Sequence, residues 1–380
     1  MDALTLRQHI QDQRLLTLAD KVELGRRFSF DDGLLLYETP DLTGLGAIAH
    51  WARRRLHGNK AYFTHGRRMS YTNVCLAGCQ FCAFRAELGD PKGYVLSPGD
   101  AIAELKKPQN EGVTELHITA GHNPQLDIEY FEQLFRAIKG HFPYIHIKAF
   151  TMLEIDFYAK NSNILIEEFL DRCQAAGLAS CPGGGAEIFD SDVRKQICSG
   201  KQNGQTWLNT ARTCHQKDIS TNCTMLYGHI EKASHRVDHL LRLRQLQDDS
   251  LASGHKGFHA FIPLAYQVGK NELGRNYNIH ETTGARDLRE IAVARLLLDN
   301  VPHIKAYWVM ITPGLAQIAL SYGADDLDGT AIDEQIARST GTKTSRGLSV
   351  SQMSKLISDA GFVAVERNPS DLVSNRWDNH

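Results

Sequence analysis

The sequence Cys75-Leu76-Ala77-Gly78-Cys79-Gln80-Phe81-Cys82 places three thiols within eight residues, at the spacing Cys-x3-Cys-x2-Cys. The next cysteine is Cys173, and no histidine follows at a spacing typical of metal ligands. A closed zinc site and a fully ligated iron–sulfur cluster each need four protein ligands. Three thiolates on a four-iron cluster leave one iron open to bind a substrate. The stretch therefore indicates a catalytic iron–sulfur site. A chance group of cysteines, or half of a zinc site shared between subunits, is the alternative.

The cysteine count supports the same chemistry. Eight cysteines in 380 residues, three of them bunched, favour metal binding in a reducing cytoplasm over a disulfide framework. The other five are widely spaced, and each is expected to be a small core residue: Cys173, Cys181, Cys198, Cys214 and Cys223. We therefore expect one 4Fe–4S cluster per chain and no auxiliary cluster.

The overall composition is that of an ordinary globular protein, with 42% hydrophobic residues, 23% charged residues and a net charge of −2. Lysines and arginines are scattered along the chain, so no basic surface for nucleic acid is predicted. The first residues do not resemble a signal peptide, and no apolar stretch approaches the length of a membrane span. These features predict a cytoplasmic protein that binds neither nucleic acid nor membranes.

The pattern of apolar residues predicts an α/β fold. Residues 1 to about 65 are expected to be helical, because apolar positions recur three and four residues apart in 17–26 and 43–56. A short strand at 70–74 is expected to lead into the cysteine loop. Strands and helices then alternate, with the later strands predicted at 114–118, 145–150, 178–181, 219–227, 258–264, 304–311 and 324–327. This gives eight β/α units over about the length of a TIM barrel.

We therefore predict a (β/α)8 TIM barrel at 66–340, with an N-terminal helical extension at 1–65 and a C-terminal helix and tail at 341–380 packed on the barrel. The active site of such a barrel lies at the C-terminal ends of its strands. The predicted loops there are rich in glycine and polar residues: 119–124, 182–187, 227–231 and 323–330. Glycine lets the backbone approach a ligand closely, so these loops predict a binding site at that end.

Alternation within the strands predicts a polar barrel interior. His146, Lys148 and Phe150 alternate with apolar residues that suit the helix layer. Two further strands show the same pattern, with these residues on the inner side: Glu115, His117, Thr119, Ser220, Asn222 and Thr224. A polar interior can hold a polar substrate. A satisfied buried hydrogen-bond network explains any one of these residues equally well.

The cysteine loop resembles the signature of radical S-adenosylmethionine (SAM) enzymes. The resemblance implies that Cys75, Cys79 and Cys82 hold the cluster and that its open iron chelates the amino and carboxylate groups of SAM. One electron then cleaves the sulfonium and yields a 5′-deoxyadenosyl radical. Phe81 matches the aromatic residue usual in the family at that position, and would lie near adenine. The loop 119–124, with Thr119 and Gly121, resembles the glycine-rich segment that meets the SAM amine.

Three carboxylates that follow predicted strands are candidates for the ribose or substrate hydroxyls. Glu187 is the first choice, and Glu154 and Glu231 follow. An isolated buried charge is costly, so each should have a partner or a ligand. A helix cap or a salt bridge is the alternative role for each of them.

Four longer stretches resemble the radical SAM enzymes of menaquinone and deazaflavin cofactor biosynthesis: 79–84, 182–189, 222–231 and 258–266. The resemblance runs from about residue 60 to about residue 366. Within this group, 148–156 and 262–266 look most like the aminofutalosine synthases, and 305–308 and 325–330 also fit. The departures are Asn368, where relatives often have aspartate, and the insert-like segment 248–256.

This resemblance implies addition of the 5′-deoxyadenosyl radical to 3-[(1-carboxyvinyl)oxy]benzoate, with rearrangement and loss of a carboxylate. The product would be 6-amino-6-deoxyfutalosine, an intermediate on the futalosine route to menaquinone, and flavodoxin or ferredoxin would supply the electron. The cations expected to face the two substrate carboxylates are Lys148, Arg85 and Arg275. His229, Tyr266 and Glu154 complete the predicted catalytic set, with core packing as the alternative role for His229 and Tyr266.

Other functions fit the same residues. A dehypoxanthine futalosine cyclase would abstract hydrogen instead of adding the radical, and a deazaflavin synthase subunit belongs to the same group. A non-catalytic iron–sulfur or zinc protein is a further alternative. The mass of the product and reductive cleavage of SAM distinguish these functions.

Overall fold

The computed structural model describes residues 3–269, 271–341 and 344–367. Its strands are β1 Lys60–Thr64, β2 Gly66–Met69, β3 Glu115–Ile118, β4 His146–Ala149, β5 Leu178–Cys181, β6 Ser220–Tyr227, β7 Phe258–Ala265, β8 His303–Ile304, β9 Asp326–Gly329 and β10 Val363–Glu366. The helices of the first half are α1 Ala3–Gln8, α2 Arg14–Glu23, α3 Phe30–Glu38, α4 Leu42–His57, α5 Pro98–Leu105, α6 Ile128–His141, α7 Met152–Asn161, α8 Ile166–Ala176 and α9 Ser191–Cys198. The later helices are α10 Gly204–Gln216, α11 Ala233–Ala252, α12 Glu272–Tyr277, α13 Gly284–Leu297, α14 Trp308–Ile311, α15 Pro313–Ala319, α16 Ile336–Ser339 and α17 Val350–Asp359.

The strands form a parallel barrel. β2 to β8 make one sheet in chain order, and β1 lies between β9 and β10 in a second sheet. Parallel bridges join the two sheets on both sides, between Lys305 and Asp326 and between Arg67 and Ile332. With β1 and β2 as one strand broken at His65, the ring has eight strands. The predicted TIM barrel is therefore confirmed.

The prediction that residues 1–65 are helical is wrong for the last residues of that segment. Four helices, α1 to α4, occupy 3–57, but 60–64 is the strand β1 inside the ring. The barrel therefore begins earlier than predicted, and the predicted strand at 70–74 is a loop that follows β2. β1 follows α4 after only two residues, which leaves little turn sequence to mark the change.

Two other predictions need correction. The segment predicted as a strand at 304–311 forms only the short β8, and its second half is the helix α14. Phe150 does not share the inner side with Lys148. Its backbone has a φ of 68°, which breaks the alternation, and its ring packs against Phe131 of α6 with centroids 4.8 Å apart.

The C-terminal segment packs on the barrel through β10, which pairs in parallel with β1 so that Lys60 lies opposite Val363. The insert-like segment 248–256 forms the end of α11 and the turn after it. Asn368 lies outside the described residues. Among the helices that are described, none is both long and apolar enough to cross a membrane.

Candidate active site

The cysteine loop lies at the C-terminal ends of the strands, where Cys75, Cys79 and Cys82 line one cavity, here called the cluster cavity. Backbone hydrogen bonds fix the loop to three neighbouring segments. The N–H of Cys75 donates to Ala86, that of Leu76 to His122, and that of Gln80 to Ile197. The sulfurs are thus carried by a loop that is held along its length.

Two glycines allow neighbouring segments to press against this loop. A Cβ on Gly121 would lie 2.2 Å from the carbonyl oxygen of Val74, and one on Gly200 would lie 2.3 Å from that of Ala77. Such contacts are far shorter than packing allows, so any side chain at either position would push the cysteine loop away. Gly121 was predicted at the site, whereas Gly200 was not.

The chemistry of the three thiols fits an iron–sulfur cluster. Burial raises the pKa of Cys79 to about 12, although the nearby Lys201 opposes this rise. Burial also raises the pKa of Cys82. The cluster irons bind cysteines as thiolates. Because burial in this cavity opposes loss of the thiol proton, a bound cation is needed to stabilise the thiolate form. Three soft donors on one rigid loop therefore suit a cationic cluster better than they suit free thiols.

Glu187 lies at the cluster cavity, as predicted, and it is paired with a lysine that the sequence analysis missed. Its backbone φ is 50°, and Lys201 Nζ lies 2.5 Å from its Oε1. The same ammonium lies 5.2 Å from the centroid of the Phe81 ring. Phe81, Glu187 and Lys201 all line the cavity. No motif marks Lys201 in the sequence. It is identified only by the structure, where it is buried beside Glu187 and Cys79.

A second cavity, here called the inner cavity, continues from the first into the barrel. The two share six lining residues: Thr119, Thr151, Leu264, Met310, Ile336 and Ala337. Their volumes are about 240 Å³ for the cluster cavity and about 190 Å³ for the inner cavity. Only together do they reach the roughly 300–1,000 Å³ of a typical ligand site, so we treat them as one chamber.

The polar barrel interior is confirmed at several positions. His117, Thr119 and Thr224 line the inner cavity, as the alternation predicted. The sequence analysis assigned no role to the remaining charged and aromatic residues there, although two of them lie in the cited segments 305–308 and 325–330: Arg68, Tyr307, Asp328 and Glu334. They come from both ends of the chain, and the barrel closure brings them together.

The structure gives Glu154 and Glu231 protein partners. Glu154 is fully buried and accepts hydrogen bonds from Tyr71, from the N–H of Ala120 and from the N–H of Thr151. It therefore fixes the loop that carries Thr119 and Gly121. Glu154 is not among the described residues that line either cavity.

Glu231 holds a different loop. Its carboxylate accepts from the N–H groups of Gly228 and His229 and from the guanidinium groups of Arg236 and Arg286. His229 Nε2 lies 3.0 Å from the carbonyl oxygen of Leu226. Neither Glu231 nor His229 is among the described lining residues, so the structure supports the salt-bridge role for this glutamate.

Lys148 also has a protein partner. It is 3% exposed, and its Nζ lies 2.5 Å from Glu115 Oε2. Burial lowers the pKa of Lys148 to about 8, and Glu115 partly offsets that effect. It is not among the described residues that line the chamber, so its predicted contact with substrate stays a prediction.

Three other predicted residues differ in position. Tyr266 lines the cluster cavity, and its hydroxyl donates to Asn271 Oδ1 at 2.5 Å. Arg85 lines the same cavity and pairs with Glu87 at 2.8 Å. Arg275 is exposed on α12.

Comparison with known proteins agrees with this geometry. Residues 69–243 match the radical SAM superfamily, and residues 255–374 match the family described as the CofH/MqnC C-terminal region. The solved structure of methylornithine synthase matches with a TM-score of 0.71 at 16% identity, covering 92% of this chain and 97% of that one. At that identity, the match supports the fold alone.

Curated relatives match along nearly the whole chain. Aminodeoxyfutalosine synthase of Thermus thermophilus is 45% identical over 370 residues, which are 97% of this chain and 98% of that protein. The Streptomyces coelicolor enzyme of the same name is 41% identical over 92% of each chain. Cyclic dehypoxanthine futalosine synthase of S. coelicolor is 36% identical over 87% of this chain and 82% of that protein. The chain therefore belongs to the radical SAM superfamily, within the group of enzymes that carry the CofH/MqnC C-terminal region and include the aminodeoxyfutalosine synthases.

Proposed function

We propose that this enzyme is an aminofutalosine synthase. It joins the 5′-deoxyadenosyl group of SAM to 3-[(1-carboxyvinyl)oxy]benzoate and forms 6-amino-6-deoxyfutalosine for menaquinone biosynthesis. The higher identity to two aminodeoxyfutalosine synthases than to a cyclic dehypoxanthine futalosine synthase supports this choice. The observation that carries the proposal is the continuous chamber, which joins a three-cysteine cavity to a cavity inside the barrel.

The cysteine cavity would hold the cluster and SAM. Cys75, Cys79 and Cys82 would bind a single 4Fe–4S cluster, which when bound supplies the electron that cleaves SAM. Glu187 and Lys201 place one negative and one positive charge on the same wall, which suits the ammonium, carboxylate and hydroxyl groups of SAM.

Adenine recognition would fall to the remaining wall of this cavity. Phe81 offers a ring face for adenine, and Thr119 and Gly121 present the adjoining loop. Glu154 acts indirectly, because it holds that loop by accepting from the N–H of Ala120.

The inner cavity would hold the carboxyvinyl-oxybenzoate. Addition requires the alkene carbon to lie about 3–3.5 Å from the adenosyl carbon, so the enol-ether end must point toward the cluster cavity. The ring then occupies the inner cavity, whose walls include Met69, Ile262, Leu264 and Tyr307. These apolar walls also keep water away from the radical.

The overall reaction balances without a net oxidant. SAM, the carboxyvinyl-oxybenzoate and water give aminodeoxyfutalosine, methionine, bicarbonate and a proton. The new bonds join the adenosyl carbon to the alkene and the alkene-derived unit to the ring. The bonds that break are the sulfonium C–S bond, the aryl ether bond and the bond to the departing carboxylate. An external donor such as flavodoxin or ferredoxin is needed to start turnover.

Labelled SAM tests the proposal. The anaerobically reconstituted enzyme is supplied with reductant, the carboxyvinyl-oxybenzoate and SAM that carries carbon-13 in its ribose. Mass spectrometry should find the label in a decarboxylated nucleoside that also contains the benzoate ring. Release of the label as stoichiometric 5′-deoxyadenosine would contradict addition. The same release with dehypoxanthine futalosine as the substrate, and its cyclised form as the product, would support the cyclase instead. Cys79→Ser is the control, since it should form neither product.

A further inference from the structure

The inner cavity contains one cation that is placed to meet a ligand. Arg68 is the only arginine or lysine among the described residues that line it. Its side chain is 15% exposed, whereas those of Lys148 and Lys305 are 4% and 1% exposed. The guanidinium lies 5.6 Å from the centroid of the Tyr307 ring, which forms part of the same wall.

Arg68 is only partly used by the protein. Its Nη2 donates to Asp328 Oδ2, and we find no other hydrogen bond from this guanidinium within the described part of the chain. A guanidinium has five N–H donors in a planar fork that matches a carboxylate. Most of these donors are therefore available to a ligand in the inner cavity.

Both carboxylates beside Arg68 have other donors. Asp328 Oδ1 accepts from Lys305 Nζ at 2.9 Å. Glu334 accepts from the backbone N–H groups of Ile336 at 3.1 Å and Ala337 at 2.9 Å. Arg68 can therefore turn toward an incoming anion without leaving either carboxylate unpaired, which would be costly in a buried site.

The backbone at Asp328 supports a functional role for this pair. Asp328 lies in β9 with a φ of 68°, a conformation that residues other than glycine rarely adopt. Thr64 Oγ1 holds this bend by donating to the carbonyl oxygen of Asp328. Strained positions of this kind concentrate at functional sites, where the surrounding structure maintains them.

We propose that Arg68 binds the ring carboxylate of the substrate in the inner cavity, with Lys305 neutralising Asp328 when Arg68 turns to the ligand. This proposal rests on the proposed function, because that function supplies an aromatic carboxylate whose other end must face the cluster cavity. It assigns to Arg68 the contact that the sequence analysis expected from Lys148. Arg68 is thereby a residue that determines specificity for a benzoate over an uncharged ring.

Binding to the reconstituted holoenzyme tests the proposal, with SAM present and reductant omitted so that no turnover occurs. Isothermal titration calorimetry compares the carboxyvinyl-oxybenzoate with its benzamide analogue, which lacks only the ring carboxylate charge. The native enzyme should prefer the benzoate by roughly 10- to 100-fold, as expected for hydrogen bonds to a charged group. In Arg68→Met the preference should fall to about threefold or less, because the fork is gone.

Matched variants locate the effect. Arg275→Met removes an exposed arginine and should keep the full preference, and Lys148→Met should keep it as well. Arg68→Lys keeps a positive charge beside Asp328 and is the variant to measure if Arg68→Met does not fold. Its preference for the benzoate over the benzamide should fall several-fold, since lysine lacks the planar fork of donors. Undiminished preference in either Arg68 variant overturns the proposal, and loss in Lys148→Met alone transfers the contact to Lys148. If the native enzyme binds neither compound, the proposed function fails, and this proposal fails with it.

Discussion

The two ends of the barrel both bury charged side chains, but they arrange them differently. At the N-terminal ends of the strands, Asp325 contacts Arg295, His303 Nδ1 at 2.5 Å and His57 Nε2 at 3.5 Å. The side chains of these four residues are fully buried. Asp325 Oδ1 also accepts a hydrogen bond from the N–H of Ile304. This group, here called the closed cluster, satisfies its carboxylate entirely with protein donors.

At the C-terminal ends the charged groups face a chamber. Lys201 and Glu187 pair on the wall of the cluster cavity, and Arg68 and Asp328 pair on the wall of the inner cavity. Each pair lines an open cavity and is not enclosed on all sides by protein. Burial and ion pairing therefore do not distinguish a binding site from a structural cluster. The distinguishing feature is whether the charged groups line a cavity that a ligand can enter.

The closed cluster illustrates the distinction, because two histidines and an aspartate with ligand atoms within 4.8 Å of one another resemble a metal site. Arg295 already neutralises Asp325, and adding a divalent cation would bury an uncompensated charge. We therefore interpret the group as structural.

The largest effect is expected at the open end, from the cysteines. Cys79→Ser should abolish SAM cleavage and lower the iron content from about four per chain, since one cluster ligand is lost. Iron analysis and chromatography of adenosine products measure both. Cys173→Ser changes a buried cysteine on α8 and should leave both values as in the native enzyme. SAM cleavage that survives Cys79→Ser, or a second cluster in the native protein, would contradict the assignment.

The next effect is expected at the closed cluster. Asp325→Asn leaves Arg295 buried without its counter-charge, so the free energy of unfolding should fall by about 3–5 kcal/mol. Urea unfolding measures this change. Asp359→Asn removes one member of an exposed pair with Lys355 and should change stability by no more than about 0.5 kcal/mol. A loss below about 1 kcal/mol in Asp325→Asn would show that the cluster is not held by this charge.

A third prediction concerns Lys148, which lies between the two ends. Lys148→Met leaves Glu115 buried with only more distant cations, so stability should fall by about 3 kcal/mol. Adding Glu115→Gln removes the unpaired charge, so the double variant should be more stable than Lys148→Met alone. Urea unfolding of the three proteins gives the comparison. A double variant less stable than Lys148→Met would contradict the pairing.

The pH dependence of stability gives the same pair a second readout. Burial raises the pKa of Glu115, but Lys148 and Lys305 outweigh that effect and lower the pKa to about 2 from the ordinary 4.5. A carboxyl group with a lowered pKa contributes stability that is complete above about pH 4.5 and is lost as the pH falls toward 2. This acid sensitivity should be smaller in the double variant.

Local patterns in the sequence were sufficient for the barrel and for the three cysteines that are proposed as cluster ligands. Cysteine spacing identified Cys75, Cys79 and Cys82, and the glycine-rich loops identified Thr119, Gly121 and Glu187, all of which line the cluster cavity. These residues are adjacent in sequence to the strands that position them, so period and spacing carry the information.

The inner cavity could not be predicted in this way. Arg68 and Asp328 are 260 residues apart and meet only because the barrel closes between β9 and the first strands. Lys148 was predicted from the alternation within its strand, and Glu231 from its charge after a predicted strand. The sequence does not reveal that Glu115 and Arg236 already neutralise these two charges. Long-range pairing thus decides which charged residue is open to a ligand.

The smallest predicted effect compares two glutamates that the sequence analysis considered for the same role, with Glu187 as the first choice and Glu231 behind it. Glu187→Gln removes a charge that faces the cluster cavity, so the Kd for SAM should rise roughly 10-fold, as for loss of one charge-assisted hydrogen bond. Glu231→Gln should leave the Kd for SAM within about twofold, because Glu231 holds the loop at Gly228 and not the ligand. Equilibrium binding of SAM to the reconstituted enzyme measures both constants. Glu231→Gln should instead lower the unfolding midpoint in urea, since Arg236 and Arg286 lose their shared carboxylate. If Glu231→Gln weakens SAM binding as much as Glu187→Gln does, the division between open and closed charges fails at this end of the barrel.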